Sequence, residues 1–145
     1  MSARSARLQP AVEQAQRRQQ DALQRFAAQQ QQLAKVQQQM EDLQRFKAEY
    51  SLPQSGGLTV TALINRQKFV DRIDRAMTEQ RHEIERQRHV MELARGQWLL
   101  AHAREKALDS VVTKLQMQED QAEQRREQAE VDERMQHRRR PADVR

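Results

Sequence analysis

"YSLPQSGGLTVT", residues 50–61, interrupts a chain that otherwise reads as continuous helix. It holds two of the three glycines, Gly56 and Gly57, and one of the three prolines, Pro53. On either side run long stretches of Gln, Arg, Glu, Ala and Leu. What the interruption does depends on the pattern of those flanks.

Before it, apolar residues recur at alternating spacings of four and three. One row is Leu8, Ala15, Ala22, Gln29, Val36, Leu43 and Tyr50; the other is Val12, Gln19, Phe26, Leu33, Met40 and Lys47. Ten of these thirteen positions are apolar, which makes a heptad seam and predicts a coiled-coil helix over about 5–50. Pro10 is tolerated in a first helical turn, so the helix is expected to start near it. After the interruption come Leu63, Val70, Met77, Ile84, Met91, Trp98, Glu105 and Val112. Their companions are Arg66, Ile73, Gln80, Gln87, Ala94, Ala101, Leu108, Leu115 and Ala122. This second seam predicts a helix over about 60–138, with Thr59 as cap and Leu58 packing on Leu63. A frayed tail is expected at 139–145.

Folding the chain back at the interruption matches the seams when paired residue numbers sum to 113. Met40 then faces Ile73, Lys47 faces Arg66, and the small Ala15 faces the large Trp98. The midpoint falls between Gly56 and Gly57, so residues 51–59 read as a hairpin tip whose glycines allow the reversal. The expected fold is all-α: one coiled-coil domain over 1–145, a long antiparallel two-helix hairpin with an extended C-terminal helix. At 1.5 Å per residue the second helix reaches about 115 Å against about 60–70 Å for the first. Beyond about residue 112 it is expected to run on without a partner from the first.

Composition agrees. Of 145 residues, 37% are hydrophobic, 3% aromatic and 32% charged, too little apolar bulk for a thick globular core. With no cysteine, no disulfide framework or cysteine metal site is expected. No run of 18 apolar residues exists, so no direct membrane insertion is expected. The net charge of +5 is modest, and its signs alternate, which marks solvated helix faces.

No pattern of catalytic chemistry is present. "HEIER" at 82–86 lacks the second histidine of a zinc-protease helix, and His82, Glu85 and His89 read as a solvated face. Catalytic, cofactor-binding and metal residues are therefore expected to be none, and the chain is read as not an enzyme. Acidic residues break up the basic face, and no aromatic platform accompanies it, so no nucleic-acid partner is expected. Trp98 reads as core. Phe46 and Phe69 lie just outside the seam and read equally well as a clasp across the tip or as an apolar patch for a partner.

Four segments in order resemble the FliJ family of flagellar type III export proteins, whose virulence counterparts are the YscO-like stalks. They are "DLQRFKAEYSL", "GGLTVTALINRQKFVDRIDRAM", "ARGQWLLAHAREKAL" and "REQAEVDERMQHR". Arg66 departs from the pattern, standing where members often carry an aromatic. The resemblance covers nearly the whole chain. It implies a cytoplasmic stalk, peripheral to the inner membrane at the flagellar base, with three partners: the hexameric export ATPase, the cytoplasmic domain of the export-gate membrane protein, and export chaperones. It implies gate contacts at Phe69 and Ile73. For the ATPase it implies the stripe Leu108, Val111, Val112 and Leu115 with the outer Arg125, Arg126, Arg134, Arg138, Arg139 and Arg140. A generic coiled-coil scaffold and a virulence-system stalk are the competing readings.

Overall fold

The computed structural model describes residues 3–52 and 59–139. Pro53, Gly56, Gly57, Leu58 and Arg140 lie outside them, so the expected glycine tip and the Leu58 staple do too. Two helices make up the described chain, α1 over Ala3–Ser51 and α2 over Val60–Arg139, and they pack against each other. Thr59 opens α2 as expected: its hydroxyl accepts from the Ala62 amide at 3.1 Å, and its carbonyl from the Leu63 amide at 3.0 Å.

The chain separates into two compact units, Gln20–Leu100 and Met1–Gln19 with Ala101–Arg145. In the first, Met40, Ile73 and Met77 form the buried cluster, with Leu43 and Ile84 packed on it. Leu33, Val36, Ala22 and Ala94 are buried as well. Each large side chain enclosed this way contributes roughly 1.5–3 kcal/mol relative to exposure. The buried set follows the two seams read from the sequence, because only one stripe of each helix meets the other.

The register differs from the expected one. Lys47 pairs with Asp74 at 2.7 Å, where the expected alignment offers it Arg66. Trp98 stacks on Phe26, ring centroids 6.0 Å apart, instead of facing Ala15. Phe69 packs on Tyr50 at 4.4 Å, not on Phe46. Gln80 donates to the Val36 carbonyl at 2.8 Å and to Gln39 Oε1 at 3.0 Å. These contacts fit an alignment one heptad away, in which Leu43 faces Met77. A heptad step superposes apolar positions on apolar positions, so both alignments satisfy the seam. The shift lets opposite charges meet at Lys47 and Asp74, whereas the expected alignment set Lys47 against Arg66.

In the other unit the same step carries α1 farther along α2. Gln19 Nε2 lies 3.5 Å from His102 Nδ1. Ser5 lies against Glu119: its amide donates to Oε1 at 3.1 Å and its hydroxyl to Oε2 at 2.8 Å. Val12, Ala15 and Val112 are buried between the helices. The unpartnered part of α2 therefore begins near residue 120, not near 112. Helix α1 also starts earlier than expected, which leaves Pro10 inside it and not in its first turn.

Helix α1 has no acidic residue in its first turn and no basic residue in its last. Helix α2 supplies both. The Glu119 carboxylate takes an amide of the first turn. At the other end, Arg66 donates from Nε to the Tyr50 carbonyl and from a terminal guanidinium nitrogen to the Leu52 carbonyl. Those groups have no partners within the helix itself, and each charge has the sign that the helix dipole favours there. The departure at Arg66 thus has a structural role.

Candidate functional site

The tip end of the Gln20–Leu100 unit carries a concentration of exposed apolar side chains. Phe46, Tyr50, Leu52, Val60, Leu63, Ile64 and Phe69 are all exposed, Val60 at 73% and Leu52 at 62%. Their origin is local. α1 ends at Ser51, and Leu63, a seam position of α2, emerges half bare. So much large apolar surface in one place is characteristic of a protein-docking surface. Of the two expected gate residues, Phe69 is 40% exposed and meets Tyr50 in a tilted ring contact, centroids 4.4 Å apart. Ile73 is 6% exposed, enclosed with Met40 and Met77. Its side chain packs between the helices in that cluster.

The stripe expected for the ATPase divides similarly. Val112 is 9% exposed and Leu108 and Leu115 are half-buried, because α1 extends to Glu119 and covers them. Val111 stays exposed. Past Glu119 every residue from Asp120 to Arg139 is exposed, with Val131 and Met135 the large apolar ones. Arg125, Arg126, Arg134, Arg138 and Arg139 lie in this free segment. Sequence reasoning underrated its acids. Glu119, Asp120, Glu123, Glu127 and Glu130, with Arg126, border one hollow along α2. The end nearest the hairpin is thus largely acidic, and Arg134, Arg138 and Arg139 sit at the far end.

Among the described residues no cluster of His, Asp or Glu could hold a metal ion, and no helix is long and apolar enough to cross a membrane. Along α2, Arg86, Arg88 and Arg95 pair with Glu83, Glu85 and Glu92 one turn earlier. Gln87 and Arg86 donate to the Glu83 carboxylate and hold its pKa below the ordinary glutamate value.

Two long helices packed on each other, with exposed apolar side chains where α1 ends and α2 begins and a charged, exposed segment at the end of α2, make an interaction protein of the coiled-coil class. Residues 4–142 match the family model described as the flagellar FliJ protein. The chain belongs to the FliJ family, non-catalytic components of flagellar type III protein export. No curated protein and no solved structure matches it.

Proposed function

We propose that this chain is the coiled-coil stalk of the flagellar export apparatus, joining the hexameric export ATPase to the cytoplasmic domain of the export gate. In this role it promotes assembly of the ATPase ring, handles export chaperones, and works in the cytoplasm at the inner face of the membrane. The observation that carries the reading is the free segment of α2. Twenty residues, Asp120 to Arg139, continue as exposed helix with nothing from α1 against them. An isolated helix of this length is marginal in water, so a partner that encloses it accounts for its helical sequence. The exposed apolar side chains at the end of α1 and the start of α2, with Phe69 on Tyr50, suit the gate.

The test is stimulation of the purified export ATPase. A chain ending at Ala122 keeps the Ser5–Glu119 contact and the whole packed hairpin. It should lose stimulation while its gate binding persists. Full stimulation by the shortened chain would overturn the assignment of this end to the ATPase.

A further inference from the structure

Three features of the Met1–Gln19 with Ala101–Arg145 unit converge on the start of α1. The first is Pro10. It has no amide proton for the Ala6 carbonyl, its ring crowds that carbonyl, and it disfavours helical angles at Gln9. Residues 3–9 are thus joined to the rest of α1 by a weakened turn. The second is the clip. Ser5 is fully buried, and its amide and hydroxyl both donate to Glu119. Charge-assisted bonds of this kind are about twice as strong as neutral ones. The third is what lies beneath. The contacts Ser5–Glu119 and Gln19–His102 place Leu8 across from the stretch of α2 between Val112 and Leu115.

We infer that residues 3–9 form a strap, hinged at Pro10 and clipped by Ser5 on Glu119, that opens on its own and uncovers the Val112 face of α2. Closed, the strap occupies the apolar stripe with Leu8. Open, it frees Leu115 and the adjoining side of Val112 for another amphipathic helix, while α1 from Val12 onward stays packed and keeps Leu108 covered beside Ala11, Gln14 and Ala15. The device gives the hairpin two states at the end where its free helix begins. That the freed face serves the ATPase rests on the reading above; the opening itself does not.

The chain has no cysteine, so single thiols report on it cleanly. Val112→Cys samples the strap, and Met77→Cys samples the buried cluster of the other unit. The thiol at 112 should react with a small maleimide at least tenfold faster than the thiol at 77. Adding Glu119→Ala removes both bonds of the clip and should speed the reaction at 112 at least tenfold, the scale of a single charge-assisted hydrogen bond. Pro10→Ala should slow it. Neither should change the rate at 77. As a second measurement in the unsubstituted chain, the amides of residues 5–9 should exchange with solvent well ahead of those of residues 13–19. Equal thiol rates at 112 and 77, or a rate at 112 indifferent to both substitutions, would overturn the strap. So would uniform exchange across residues 5–19.

Discussion

Ser5 and Glu119 stand 114 positions apart in the chain, yet the Ser5 amide and hydroxyl both donate to the one carboxylate. Through this pair α2 closes the first turn of α1, and through Arg66 it closes the last. Both ends of the shorter helix are therefore capped by side chains of the longer one. A slide of one heptad would keep the apolar seam but lose both caps at once.

The Ser5–Glu119 pair should be measurable in stability. Glu119→Ala removes the acceptor of both Ser5 bonds and should cost about 1–3 kcal/mol. Ser5→Ala should cost less, and a double-mutant cycle by denaturant unfolding should show coupling. Simple additivity of the two changes would mean the contact contributes nothing.

Arg66→Ala should loosen the last turn of α1 and little else. The guanidinium is solvent-accessible, so global stability should fall by no more than about 1 kcal/mol. Amide exchange near residues 48–51 should quicken while residues 36–43 keep their protection. Unchanged exchange in the last turn would remove Arg66 from the cap.

Phe69→Ala and Ile73→Ala should separate docking from packing. Loss of the Phe69 ring on Tyr50 costs about 0.5–1.5 kcal/mol beyond burial and should weaken gate binding with helix content unchanged. Loss of Ile73 from the Met40–Met77 cluster should cost about 2–5 kcal/mol of stability. Wild-type gate affinity in a folded Phe69→Ala protein would leave that ring a purely structural role.

Replacing Arg134, Arg138 and Arg139 by Gln should slow association with the ATPase and flatten its salt dependence. Replacing Arg125 and Arg126, which sit among acids, should do less. Equal effects from the two sets would show that net charge, not position, governs encounter.

Glu83 gives a pH signature. Its lowered pKa means that its hydrogen bonds to Gln87 and Arg86 help the fold above the unfolded carboxyl's pKa. That help is lost as pH falls through the lower folded value. A side-chain titration by NMR should place its midpoint below that of a free glutamate, and Gln87→Ala should raise it. A midpoint unmoved by Gln87→Ala would assign the shift elsewhere.

The seam was legible in the sequence because burial on a helix follows a period. Val36, Met40, Ile73, Met77 and Ala94 are buried where the spacing of four and three put them. Register was not legible, because a heptad pattern looks the same after a shift of seven. Single contacts decide it, and each comes from a residue whose type breaks the repeat: Phe26 with Trp98, Lys47 with Asp74, Ser5 with Glu119. The same shift explains why Val112 is covered and why Phe69 meets Tyr50. The exposed apolar surface beside the tip was half legible in Phe46 and Phe69. Leu63 looked like a seam residue packed by Leu58, yet with α1 ending at Ser51 it stands half exposed.

Register underlies the strap, the caps and the point at which α2 becomes free, so its direct measurement is the sharpest test. Two double-cysteine variants, Lys47→Cys with Asp74→Cys and Lys47→Cys with Arg66→Cys, can be treated with a short bifunctional maleimide. The two alignments differ by about 10 Å along the helix axis. The first variant should crosslink within a single chain, and the second should not. Crosslinking of the 47–66 pair in place of the 47–74 pair would contradict the account.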